Sequence, residues 1–98
     1  MKRLDLIFNE KELKPVINIL EEHGITGYSV IKHVTGKGPN STVYEDLEFT
    51  GIGGNAHMII FCQESVLGKL HKGKLLDQLN YYGGVAYVSD AIPLSDTN

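Results

Sequence analysis

The chain has 98 residues, 42% of them hydrophobic and 21% charged, the balance expected of one soluble globular domain. A net charge of -3 and a pI near 5.7 argue against nonspecific binding to nucleic acid or to an anionic membrane surface. No apolar run reaches the roughly eighteen residues of a membrane span, and the one cysteine, Cys62, excludes an internal disulfide. The apolar stretch behind Met1-Lys2-Arg3 is broken by Asp5 and closes at Asn9-Glu10-Lys11, too soon for a secretory signal, so the expected location is the cytoplasm. A chain this short buries a modest share of its surface, and self-association would relieve that limit.

Leu4, Leu6, Ile7 and Phe8 form a short apolar run that reads as a buried first strand. Asn9 can cap a helix with Glu12 as its capping-box partner, but Pro15 would then break the interior. A start nearer Glu12 puts Pro15 in the first turn, where proline is tolerated. Leu13, Val16, Ile17 and Leu20 then form an amphipathic stripe, with Glu21 and Glu22 on the wet side. His23 suits the negative end of this helix and Gly24 stops it. Residues 26–34 read as a strand, with Tyr28, Val30 and Lys32 on one face and Ser29, Ile31 and His33 on the other.

Gly36 and Gly38 open a long polar stretch, expected to be a mobile loop over residues 36–55. Within it Val43 to Phe49 has the pattern of a transient strand. The run His57 to Cys62 reads as a central strand. Glu64 or Ser65 is the expected cap of a second helix, whose apolar triplets Val66, Leu67, Leu70 and Leu75, Leu76, Leu79 point in nearly opposite directions. Such a helix either kinks near Gly73 or is buried on more than one side, for example by a neighbouring subunit. Tyr81-Tyr82-Gly83-Gly84 ends it, Val85-Ala86-Tyr87-Val88 is the last strand, and Ala91 to Leu94 extends as an edge before a polar tail over 95–98. The order predicts an α+β, ferredoxin-like βαββαβ sandwich in a single domain, 1–98. With no further helices to cover the second sheet face, the economical cover is another copy of the chain.

Gly24-Ile25-Thr26-Gly27-Tyr28-Ser29-Val30 resembles the G-[IA]-T-G-[MY]-[TS]-V segment of the PII signal-transduction superfamily, and Gly36-Lys37-Gly38 resembles the glycine turn that opens that family's T-loop. Tyr82-Gly83-Gly84-Val85-Ala86-Tyr87-Val88 is similar to the Y-A-G-I-I-Y-I of PII-like regulators encoded with bicarbonate transporters, the SbtB or carboxysome-associated branch. The resemblance covers most of residues 4–90 outside the middle of the loop. It implies a homotrimer that binds an adenine nucleotide between subunits. It further implies a T-loop that docks on a target, a membrane transporter of the bicarbonate type. The nucleotide site it implies comprises Thr26, Gly27, Ser29, Gly36, Lys37, Gly38, Gly83 and Gly84. The partner-binding loop comprises Asn40, Tyr44, Glu45, Asp46, Glu48 and Phe49. No prosthetic group, nucleic-acid partner, direct membrane insertion or enzymatic activity is expected.

The chain also departs from the family. PII proteins proper carry a basic B-loop residue and C-terminal arginines for the polyphosphate, whereas no Arg or Lys follows Val88 here. The bicarbonate-linked relatives have arginines after G-K-G, where this chain has Asn40 and Val43. A triphosphate would keep much of its charge unneutralised. ADP, AMP or cyclic AMP is therefore expected ahead of ATP, and bicarbonate as a co-ligand stays open. The loop tyrosine that the family uridylylates aligns with Phe49, which has no hydroxyl, leaving Tyr44 as the candidate for modification.

Each of these residues has a plainer reading. Lys37 either neutralises phosphate beside its glycine N–H groups or is a solvated lysine, and the flanking glycines favour phosphate. Thr26, Gly27 and Ser29 line a pocket or merely start a strand. Gly83 and Gly84 admit a ligand to the backbone or form an ordinary turn. Tyr81, Tyr82 and Tyr87 stack on adenine or, as is favoured, pack between subunits. His23, His33, His57, Cys62 and His71 lack metal-site spacing, and His57 and Cys62 face opposite sides of one strand. Two alternatives to the transporter regulator stand: a trimeric metal- or anion-binding protein of the copper-tolerance type, and a regulator of a soluble nitrogen-metabolism enzyme.

Overall fold

A computed structural model describes residues 1–35 and 54–97. The elements are β1 (Lys2–Asn9), a 3-10 turn (Glu10–Glu12), α1 (Leu13–Glu22), β2 (Ser29–Val34), β3 (Asn55–Cys62), α2 (Glu64–Lys72), α3 (Leu75–Tyr82), β4 (Val85–Asp90) and a second 3-10 turn (Leu94–Asp96). The strands form one antiparallel sheet in the order β2-β3-β1-β4, the expected α+β ferredoxin-like plan. Strand alternation sorts the central strands cleanly. Leu4, Leu6 and Phe8 of β1 and Ala56, Met58, Ile60 and Cys62 of β3 are buried on one face. Val16, Ile19 and Leu20 of α1, Leu70 of α2, and Leu75 and Leu79 of α3 join them in the core.

The N-terminal helix settles the two starts that Asn9 and Pro15 pose. The Asn9 side chain accepts a hydrogen bond from the Lys11 N–H and caps the 3-10 turn, and α1 proper begins at Leu13 with Pro15 in its first turn. Gly24, at φ 83°, ends α1, and the ring Nδ1–H of His23 donates to the Ile19 carbonyl at 2.8 Å.

The second helical segment breaks in two at Gly73, and this explains its opposed apolar triplets. The break turns Leu75 and Leu79 back to the core that Leu70 already fills. A Cβ at Gly73 would lie 2.8 Å from His23 Nε2 and 3.2 Å from the Lys69 carbonyl oxygen, so the end of α1 packs against the break itself. The position before α2 is Gln63, and neither Glu64 nor Ser65 caps it, because both lie inside the helix.

Several expected boundaries move. Pairing of β2 with β3 starts at Ser29↔Ile59, so residues 26–28 precede the strand, and the register slips between Ile31 and Val34. His33 sits at that slip with φ 61°, so the simple alternation of faces expected for this strand ends at Ile31. Asn55, expected to close the loop, is already in β3 and pairs with Asn9 and Val34. The expected edge continues only through Ala91, whose N–H donates to the Met1 carbonyl at 3.1 Å, and stops before Leu94. Pro93 cannot donate to a ladder, and the chain folds into the 3-10 turn, where the Thr97 N–H and hydroxyl both donate to the Leu94 carbonyl. Part of the expected polar tail is thus locally structured.

Candidate functional site

The expected nucleotide residues fall into two groups set by the sheet order. Thr26 and Gly27 lead into Ser29 at the start of β2, on one edge, and all three are exposed. Gly83 and Gly84 lead into β4 on the other edge. Two strands lie between, so the groups are on the order of 14 Å apart at ordinary strand spacing. The end of β2 at Val34 and the start of β4 at Val85 stand at the same end of the sheet, where β1 finishes, since Val34 and Asn9 both meet Asn55 and Val85 meets Ile7. Among the described residues the two groups therefore stand apart on one sheet rather than around one pocket. Gly36, Lys37, Gly38, Asn40, Tyr44, Glu45, Asp46, Glu48 and Phe49 lie outside the described residues, as does the segment Val43 to Phe49.

The two glycines before β4 differ. Gly83 caps α3 in the left-handed conformation, φ 82°, and a Cβ there would meet nothing within 4 Å. Gly84 is pressed into the core: a Cβ would lie 2.7 Å from Leu79 Cδ2, 2.9 Å from Phe8 Cβ and 3.1 Å from the Ile7 carbonyl oxygen. Its N–H donates to the Leu79 carbonyl at 2.7 Å. Gly84 is thus required where α3 closes on β1, whatever else it does. Tyr81 and Tyr82 stand beside this turn with rings edge to face, centroids 4.7 Å apart, and Tyr81 is 81% exposed.

The sheet face away from the helices carries the other feature. Cross-strand pairing aligns Ile31, His57, Ile7 and Val85 in one row, Ser29, Ile59, Asp5 and Tyr87 in the next, and Phe61, Arg3 and Ser89 in a third. Ile31, Phe61, Val85 and Tyr87 are exposed there, with Phe61 at 54%. Amid them Arg3 donates to Asp5 through Nε and Nη2, both at 3.0 Å, and His57 Nε2–H donates to Asp5 Oδ1 at 2.8 Å. The Arg3 guanidinium, helped by His57, holds the Asp5 carboxyl below the usual carboxylate range despite partial burial. The i, i+2 spacing of Arg3 and Asp5 could have been read as one strand face. His57 could not have been added without the register of β3.

Among the described residues the remaining reactive groups form no further centre. Among the described residues no three His, Cys, Asp or Glu side chains converge as metal ligands. Cys62 is free and buried on the helix side, opposite His57, and burial pushes its thiol pKa up, away from the reactive thiolate. Among the described residues no helix is long and apolar enough to cross a membrane.

A family model for nitrogen regulatory protein P-II matches residues 1–97. No curated protein matches the chain. Among solved structures, it is similar to CPII, a nitrogen regulatory PII-like protein from Thiomonas intermedia bound to ADP, AMP and bicarbonate. The TM-score is 0.77 at 23% identity, over 90% of this chain and 82% of that one. The apo form of CPII gives 0.71 at 22% identity, over 90% and 85% of the two chains. A PII-like signalling protein from Thermus thermophilus gives 0.66 at 18%, over 90% and 82%. At these identities the structural likeness carries the fold.

Proposed function

The chain belongs to the P-II nitrogen regulatory family, a regulatory rather than an enzymatic family, and on that premise we propose how this PII-like signalling protein works. It assembles as a homotrimer, binds an adenine nucleotide in the clefts between subunits, and uses the connection between β2 and β3 to regulate a membrane transporter of the bicarbonate type. The observation that carries the reading is the separation of the two half-sites. The start of β2 and the turn before β4 lie on opposite edges of one sheet. A second subunit brings the β4 edge of one chain to the β2 edge of the next. The apolar sheet face supports the same assembly, because burying Ile31, Phe61, Val85 and Tyr87 supplies the area a short chain lacks.

Thr26, Gly27 and Ser29 then line one wall of the cleft. Gly83, next to Gly84, lets the backbone approach from the other, and Gly36, Lys37 and Gly38 hold phosphate. ADP, AMP or cyclic AMP is the expected ligand ahead of ATP. Residues 89–98 include no Arg or Lys, and Lys2 is already engaged with Asp90. CPII, bound to ADP, AMP and bicarbonate, supports this choice and bicarbonate as a co-ligand. Asn40, Tyr44, Glu45, Asp46, Glu48 and Phe49 form the partner-binding surface. Family membership favours this sensor over the copper-tolerance alternative.

Calorimetric titration with ATP, ADP, AMP and cyclic AMP, each with and without bicarbonate, tests the reading. Micromolar binding that Lys37→Ala weakens about tenfold is the expected result. No heat with any nucleotide would remove the intersubunit site. Co-purification with a soluble nitrogen-metabolism enzyme instead of a transporter would reassign the target.

A further inference from the structure

The cluster of Arg3, Asp5 and His57 lies amid Ile31, Phe61, Val85 and Tyr87 on the open sheet face. Its charges balance. Asp5 accepts two bonds from the Arg3 guanidinium, each at 3.0 Å, so one anion meets one cation. His57 joins them as a neutral donor, with Nε2–H reaching Asp5 Oδ1 at 2.8 Å. Nδ1 is then the position for a second proton. Taking that proton gives the cluster one net positive charge.

The surroundings do not offset that charge. Across the ladders His57 pairs with Ile7 on β1 and Ile31 on β2. Asn55 and Ile59 share its face on β3, and the β4 residue opposite Asp5 is Tyr87. The first charged or titratable residues of β2 after Ile31 are Lys32 and His33, at the register slip. Lys32 is a further cation, and the His33 ring is paired with Glu10 at 3.0 Å. The helices pack on the opposite face of the sheet. Among the described residues Asp5 is thus the one carboxylate paired with His57, and Arg3 already matches its charge. The single chain tolerates an imidazolium here because the His57 and Asp5 side chains keep 24% and 20% exposure to screening water. A second copy laid over Phe61 and Tyr87 would remove that water and leave one unneutralised charge per chain in the contact.

We propose that His57 couples self-association to pH: chains associate through this face with His57 neutral and separate when it takes a proton at Nδ1. This rests on the assembly through the sheet face proposed above. The sign follows from which state holds the proton better. Separate chains keep the imidazolium in water and the assembly disfavours it. Association is therefore complete above the ordinary imidazole range, about 6.5, and weakens as pH falls through it. Asp5 stays charged across this window, since the Arg3 guanidinium holds its carboxyl below the usual carboxylate range.

Sedimentation of the full chain over a dilution series, at constant ionic strength and at about pH 7.5, 6.5 and 5.5, tests this. It reads the concentration at which half of the chains are assembled. If assembly lowers the proton affinity of each imidazole tenfold, that concentration for a trimer rises roughly tenfold between the highest and lowest pH. His57→Gln keeps an amide N–H for Asp5 and has no proton to gain, so its midpoint should stay within about twofold. His33→Gln, outside the cluster, should keep the wild-type rise. A wild-type midpoint that ignores pH, or a His57→Gln chain that keeps the wild-type rise, would overturn the switch and leave the assembly standing. A wild-type chain that is monomeric at every concentration and pH would remove the assembly and the switch together. Should His57→Gln fail to assemble, the heat of dilution of the wild-type chain in buffers of different ionisation enthalpy decides. Proton uptake approaching one per chain on dissociation, at about pH 6, supports the coupling, and no uptake overturns it.

Discussion

Gly84→Ala gives the sharpest test of how this domain is built. The added methyl would meet three groups closer than the roughly 3.5–4.0 Å of an ordinary carbon contact. Leu79 Cδ2, at 2.7 Å, is the end of a side chain, but Leu79 is 2% exposed and has little space to turn. Phe8 Cβ at 2.9 Å and the Ile7 carbonyl at 3.1 Å belong to central strand β1 and cannot retreat without moving the sheet. The end of α3 must therefore lift, straining the Gly84–Leu79 hydrogen bond. Overpacking of this kind costs about 1–3 kcal/mol. For a domain of this size each kcal/mol lowers the melting temperature by about 4–8 °C. Thermal unfolding at one fixed protein concentration reads this directly, because an oligomer's midpoint depends on concentration. Gly68→Ala is the internal control. Gly68 lies inside α2 with nothing within 4 Å of a Cβ, so alanine there should stabilise by about 1 kcal/mol. A Gly84→Ala variant melting within about 2 °C of wild type would refute the close packing of α3 on β1. Wild-type melting combined with lost ADP binding would move the role of Gly84 from packing to the ligand.

Two further predictions concern the open sheet face. Asp5 titrates below its unfolded value of about 3.9, so the stability it contributes is present above that pH and is lost as pH falls through the lower folded value. Asp90, held down by Lys2, acts in the same direction but is exposed and weaker. Asp5→Asn should therefore lower the melting temperature at neutral pH and flatten its acid-side decline. An unchanged decline would show that Asp5 is not the group responsible. Phe61→Asp should leave the circular dichroism of the chain intact, since Phe61 is half exposed, while sedimentation shifts from the proposed trimer to monomer. A trimer surviving this charge would place the subunit interface elsewhere.

What the sequence made legible is what depends on local periodicity. Val16 and Leu20 announce α1, and Met58 and Ile60 announce the buried face of β3, because burial on one side imposes a period of 3.6 or 2 on the residues themselves. Gly73 was legible as a choice between a kink and a second buried side, and the break there, which returns Leu75 and Leu79 to the core beside Leu70, decides it. His33 was not legible: its left-handed turn is held by Glu10, distant in the chain, and nothing in the local pattern of β2 marks it. The shared site of Arg3, Asp5 and His57 likewise appears only once β1 and β3 are set in register. The glycine motifs signalled half of the candidate site each, but that the halves lie on opposite edges follows from the strand order alone.

That separation and the polar network bear on each other. A sheet face that stays in water has no need to pair its charges, whereas a face buried between subunits incurs a large desolvation cost for every unpaired one. On this face Asp5 takes both forks of Arg3 and the His57 N–H, so its acceptors are largely satisfied before any neighbour arrives. Covering the face would transfer a neutralised, hydrogen-bonded cluster rather than isolated ions, with Ile31, Ile59, Phe61 and Tyr87 supplying apolar area around it. The charges on that face are thus arranged as in an interface, and it is the same association that would bring the β2 and β4 half-sites together. Disrupting Asp5 should therefore weaken nucleotide binding as well as assembly, although Asp5 is on neither edge of the sheet.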